Sequence, residues 1–109
     1  YVHDNDLTGI YCYYSSPTIR YAVIESNSDG EKRGGIMCDA GSPTIYYNDI
    51  RDNGQVGIYC LGGSPDIDYN WLHGHDYDAT EAGEIYVDGT CYPWMEDSNI
   101  HTSTYALSG

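Results

Sequence analysis

Phenylalanine is absent from the 109 residues, whereas tyrosine occurs 13 times. An aromatic supply made almost wholly of Tyr suits strand surfaces better than the interior of a helical bundle. Basic residues are nearly as scarce. Four Lys and Arg stand against 17 Asp and Glu, for a formal net charge of −13. Such a chain repels phosphate backbones, which excludes nucleic acid as a partner. The excess suits multivalent cations, high salt or a cationic partner, and simple solubility is its other consequence. No apolar run approaches the roughly 18–20 residues of a membrane span, and no amphipathic stretch is long enough for a helix. The chain has no visible signal peptide and does not open with Met, so it reads as a mature or excised piece.

Repetition fills the space these absences leave. GIYCYYSSPTI (9–19), GIMCDAGSPTI (35–45) and GIYCLGGSPDI (57–67) are three spellings of one phrase. Aligned on Pro17, Pro43, Pro65 and Pro93, the chain divides into rows spaced 26, 22 and 28 residues apart. VHDNDLTGI (2–10) matches IRDNGQVGI (50–58), so the chain opens part-way through a row. Three apolar columns recur. The first is Ile10, Ile36, Ile58 and Ile85, followed two residues on by Cys12, Cys38, Cys60 and Val87. The second is Ile19, Ile45, Ile67 and Met95, and the third is Val2, Ile24, Ile50, Leu72 and Ile100. Alternation within GIYC has the period of two that marks a strand.

A row with three short strands cannot bury its own apolar face, but stacked rows can, at a strand spacing of roughly 4.8 Å. Five residues separate the second and third columns, an odd number, so a corner must intervene for both to point inward. That corner carries Tyr21, Tyr47, Tyr69 and Asp97, then Ala22, Asn48, Asn70 and Ser98. A further corner carries Asn5, Asn27, Asn53 and His75. Stacked Asn amides hydrogen-bond from row to row, and Asn is expected to supply the left-handed backbone of the bend.

The phrase SPTIxxNxIxxNxxxGIxC, which runs through nearly the whole chain, resembles the right-handed parallel β-helix repeat of secreted proteins. Its relatives include the pectate-lyase-like superfamily and NosD-like periplasmic proteins. The resemblance implies an all-β solenoid of four to five coils of 22–28 residues, with residues 1–109 as one domain within a longer solenoid. It implies no single activity, because this fold hosts lyases, hydrolases, epimerases, adhesins and inert spacers.

Four sets of residues are candidates for function. Cys12, Cys38 and Cys60 share one inward column, as free core thiols or with Cys12–Cys38 or Cys38–Cys60 bridged; Cys91 lies off it. His73 and His101 are expected to fall on successive coils in one outward file, with His75 and Asp76 beyond. Two stacked imidazoles with such a neighbour suit copper, zinc or nickel, and the NosD-like relatives are associated with copper-enzyme maturation. Asp29, Glu31, Asp52, Asp76 and Asp78 fall in the variable loop, where stacked carboxylates suit Ca2+ or form a solvated acidic edge. Tyr11, Tyr59 and Tyr86 form an outward file on one strand, and Tyr21, Tyr47 and Tyr69 stack at the corner. Exposed aromatics serve as platforms for sugar rings or cover a partner protein.

Lyases of the resembled superfamily use an Arg or Lys as base, and Arg51 beside Asp49 and Asp52 is the one such residue on a strand file. LHGHD (72–76) holds the letters of the hydrolase Gly-His-Gly element in the wrong order, and no Ser-His-Asp signature occurs. The sequence therefore favours a non-catalytic scaffold, adhesion or filament module at the cell surface or outside the cell. Neighbouring coils or self-stacking copies are the expected partners. The alternatives are a carbohydrate-active β-helix that binds or cleaves polysaccharide, and a metal-binding NosD-like periplasmic protein.

Overall fold

A computed structural model of the chain describes residues 1–27, 34–54, 56–75, 83–88, 90–95, 100–101 and 107–108. Its strands, in chain order, are β1 (Val2–His3), β2 (Ile10–Tyr13), β3 (Thr18–Arg20), β4 (Val23–Glu25), β5 (Ile36–Asp39), β6 (Thr44–Tyr46) and β7 (Asp49–Arg51). They continue as β8 (Val56–Cys60), β9 (Asp66–Asp68), β10 (Trp71–His73), β11 (Gly83–Val87), β12 (Trp94–Met95), β13 (Ile100–His101) and β14 (Leu107–Ser108). Every third strand joins the same sheet: β1-β4-β7-β10-β13, β2-β5-β8-β11-β14 and β3-β6-β9-β12. All pairings between these strands are parallel. The result is a three-sided coil in which the chain steps from sheet to sheet and returns one rung further on. No helix among the described residues is long and apolar enough to cross a membrane.

Like stacks on like because only one register keeps every apolar residue inside. Ile10 pairs with Ile36, Ile36 with Ile58 and Ile58 with Ile85. Ile19, Ile45, Ile67 and Met95 pair likewise, as do Val2, Ile24, Ile50 and Leu72. Ile24, Ile36, Ile45, Ile50, Ile58, Ile67 and Leu72 are fully buried. Each contributes about 1.5–3 kcal/mol by leaving water, so these ladders are the main source of stability.

Register slips at the last rung of the first sheet. Ile100 was expected opposite Leu72, but it lies opposite Trp71, and the Cα partner of Leu72 is His101. The fourth row diverges from the others in sequence, so it lacks the in-register repeat that fixes the earlier rungs.

The corners differ from expectation in one respect. The left-handed residue is the one before the asparagine position, which Ala22 fills in the first rung: φ is 52° at Tyr21, 55° at Tyr47 and 56° at Tyr69. At the other corner it is 56° at Asp4, 55° at Ser26, 52° at Asp52 and 75° at Gly74. Asparagine itself is needed for its side chain. Asn53 Oδ1 accepts the main-chain N–H of Asn27 at 3.0 Å, and Asn53 Nδ2 donates to the carbonyl of Ile24 at 2.8 Å. Asn48 and Asn70 do the same between Ala22, Ile19 and Ile45. Buried main-chain groups at each bend thus find partners one rung away, which offsets the cost of about 1–2 kcal/mol for a left-handed residue.

The glycines that open the first two repeated phrases, Gly9 and Gly35, follow from the same amides. A Cβ on Gly35 would lie 2.7 Å from Asn53 Nδ2, and one on Gly9 would lie 2.8 Å from Asn27 Nδ2. The asparagine amide packs against the glycine just before β2 or β5, and no side chain fits between them.

Candidate functional site

The corner between the third and first sheets carries Tyr21, Tyr47 and Tyr69 as one stack. Ring centroids are 5.6 Å and 5.1 Å apart, with interplanar angles of 8° and 12°. The rings remain 73%, 48% and 51% exposed. Bulky residues seldom adopt positive φ, yet three in succession do so here, each followed by a residue bonded to the next asparagine or, for Tyr69, by Asn70 itself. The stack is therefore fixed from below.

Stacking also limits what the ladder can present. Both faces of Tyr47 are covered by its neighbours, and no sugar ring fits in a 5 Å interval, since two aromatic planes sandwiching a ligand need about twice van der Waals contact. Between its rings the corner offers edges and hydroxyls rather than open faces. Tyr46 adds an edge-on contact to Tyr47 at 5.4 Å. Arg20 lies at the start of the stack, its guanidinium carbon 5.9 Å from the Tyr21 centroid and Nη1 donating to the Tyr46 hydroxyl at 3.0 Å.

Beside the stack is a cleft of about 320 Å3, lined by Thr44, Tyr46, Tyr47, Asp66, Asp68 and Tyr69. Only Tyr47 and Tyr69 among these were singled out from the sequence. Thr44, Tyr46, Asp66 and Asp68 are the residues flanking the buried Ile45 and Ile67, so the alternation of β6 and β9 marks them as outward neighbours.

The other tyrosine file is closed in its middle. Tyr59 was expected outward and open, but it is only 9% exposed and stacks on Tyr86 at 4.8 Å. Tyr11 is exposed and donates its hydroxyl to Asp39 at 3.0 Å.

The outer face of the first sheet holds a chain of charges. Arg51 Nε donates to Glu25 at 2.6 Å and Nη1 to Asp49 at 2.9 Å, while the second oxygen of Asp49 meets His73 Nε2 at 2.9 Å. Trp71 stacks on the His73 ring at 4.1 Å. The Arg51–Glu25 hydrogen bond, with the charges of Asp49 and Asp52, raises the guanidinium pKa above its ordinary value. A base must release its proton, so this environment opposes such a role.

The backbone register of His73 and His101 differs from the one expected. His73 engages Asp49, and the Cα opposite it in the register is not that of His101, whose partner is Leu72. His75 is buried at 3% exposure in the asparagine ladder. Asp52 is exposed at its corner. Asp76, Asp29, Glu31 and Asp78 lie outside the described residues. Among the described residues no group of three or more His, Cys, Asp and Glu is placed to hold a metal ion.

The cysteines part company. Cys60 is bonded to Cys91, Cα to Cα 6.0 Å, tying β8 to the turn before β12. Cys91 lies off the column, as expected, since Val87 is the residue opposite Cys60; the turn that brings Cys91 beside Gly63 lets it reach across to Cys60. Cys12 and Cys38 remain buried free thiols on paired positions. The hydrogen bond between them lowers the pKa of Cys12 and, together with burial, pushes that of Cys38 far up.

Comparison with known families agrees with this architecture. The model of the right handed beta helix region matches residues 1–102, and the chain belongs to that family. No curated protein and no solved structure matches it.

Proposed function

We propose that this member of the right-handed β-helix family is a non-catalytic structural and interaction module of a secreted or cell-surface protein, acting in scaffolding, adhesion or filament assembly. The observation that carries this reading is the exposed Tyr21–Tyr47–Tyr69 stack, held in left-handed backbone at a rigid corner. Strained residues cluster where they serve a purpose, and rigid aromatic rows suit contact with a partner at low entropic cost. The Cys60–Cys91 bond supports an oxidising compartment, where disulfides persist.

The charged row Glu25–Arg51–Asp49–His73 favours a second reading, a carbohydrate-active β-helix. Its weakness is the raised pKa of Arg51. Incubation with a panel of acidic and neutral polysaccharides, followed for cleavage products and for binding, separates the two. The module reading expects no turnover. Turnover that vanishes in Arg51→Ala would overturn it.

A further inference from the structure

We infer that the cleft beside Tyr47 and Tyr69 binds a guanidinium group, delivered as an arginine side chain of a partner polypeptide. The inference rests on the reading of the tyrosine corner as an interaction face and names the chemistry that face accepts.

The chain carries an internal example of the contact. Arg20 lies with its guanidinium 5.9 Å from the ring centroid of Tyr21 and donates to the Tyr46 hydroxyl at 3.0 Å. Parallel pairing places Tyr46 opposite Arg20 and Asp68 opposite Tyr46, so the arginine position of the first rung becomes tyrosine and then carboxylate. Thr44 becomes Asp66 on the same step. The tyrosine of the corner meanwhile persists through all three rungs. One rung thus supplies its own cation to a tyrosine ring, and the rungs below supply two carboxylates and three tyrosines around a cleft of about 320 Å3.

Three physical features of that cleft fit a guanidinium. Its described lining holds two acids and no basic side chain. Carboxylates recognise the planar fork by paired hydrogen bonds, which an ammonium cannot reproduce. Ring edges and hydroxyls of Tyr46, Tyr47 and Tyr69 surround the methylene stem and accept N–H groups, as the Tyr46 hydroxyl already does for Arg20. A chain of net charge −13 also draws basic segments toward it over the Debye length. A neutral sugar gains nothing from the two carboxylates' charge, and both faces of Tyr47 are already covered in the ladder.

The test is calorimetry of the full chain at low salt with a short arginine-containing peptide, the same peptide with citrulline, and the same with lysine. Citrulline keeps shape and hydrogen-bonding stem but loses the charge. Arginine should bind at least about tenfold more tightly than citrulline and more tightly than lysine. Asp66→Asn with Asp68→Asn should weaken arginine binding about tenfold. Asp4→Asn with Asp6→Asn, which removes the same charge elsewhere, should leave most of it. Equal binding of arginine and citrulline overturns the inference, as does an equal loss from both double variants. Tighter binding of a neutral oligosaccharide, or dimerisation through Tyr47 and Tyr69 without peptide, also overturns it. Polysaccharide turnover would instead overturn the module reading, so the two failures are distinct. Circular dichroism of the Asp66→Asn, Asp68→Asn variant confirms that a lost signal is not lost folding.

Discussion

His75 sits one rung beyond Asn53 and does an asparagine's work with an imidazole. Its Nδ1 accepts the Asn53 main-chain N–H at 3.1 Å, as Asn53 Oδ1 accepts that of Asn27 at 3.0 Å. Its Nε2 lies 3.2 Å from the carbonyl of Ile50, matching the bond from Asn53 Nδ2 to the carbonyl of Ile24. A proton on Nε2 serves both of these bonds, and Nδ1 also lies 2.9 Å from the Asn53 carbonyl oxygen. A residue that looked like part of a histidine metal cluster is thus a rung of the structural ladder.

Substitution follows from that equivalence. His75→Asn should leave stability within about 0.5 kcal/mol, since the amide offers the same acceptor and donor. His75→Leu should cost about 1–3 kcal/mol, because it strands the buried Asn53 N–H and the Ile50 carbonyl. Urea unfolding of the two variants beside the parent checks this. Equal losses would show that His75 only fills space.

Gly35→Ala should destabilise by about 1–3 kcal/mol through overpacking, since its Cβ would lie 2.7 Å from Asn53 Nδ2. Ala at Gly62, where the nearest atom to a new Cβ is 3.7 Å away, should be far better tolerated. Thermal melts of both variants provide the comparison, and similar shifts would contradict the packing account.

Reduction of Cys60–Cys91 opens a loop spanning 31 residues. In the chain-entropy model that costs about 3–4 kcal/mol, so Cys60→Ser with Cys91→Ser should melt well below the parent. Cys12 and Cys38 should resist alkylation in the native chain and react in urea, because both are buried. Mass spectrometry reads the two free and two bonded sulfurs directly. Rapid native labelling of Cys38 would refute its burial.

The columns Ile10–Ile36–Ile58–Ile85 and Ile19–Ile45–Ile67–Met95 were readable residue by residue, since stacking allows one register and the repeat writes it three times over. His101 was misplaced because the fourth row departs from that repeat. Asn27 and Asn53 were correctly put at a corner, but a sequence cannot tell whether the backbone or the amide of an Asn is in use, and here it is the amide. Tyr59 followed the strand alternation outward, yet the alternation says only which way a side chain points, not what lies over it. Cys60–Cys91 joins residues 31 apart through a turn, beyond the reach of column logic. The cleft escaped notice because Tyr46 and Asp68 become neighbours only when two rungs are laid side by side.

The central claim is that recognition occurs at the tyrosine corner and not on the charged face of the first sheet. Ring-proton NMR of the full chain, with assigned tyrosines and tryptophans, reads this directly as the arginine peptide is added. Shifts confined to Tyr46, Tyr47 and Tyr69, with Tyr11 and Trp71 unmoved, are the result expected. Shifts that begin at Trp71 beside His73, or that spread over all exposed rings alike, would contradict it.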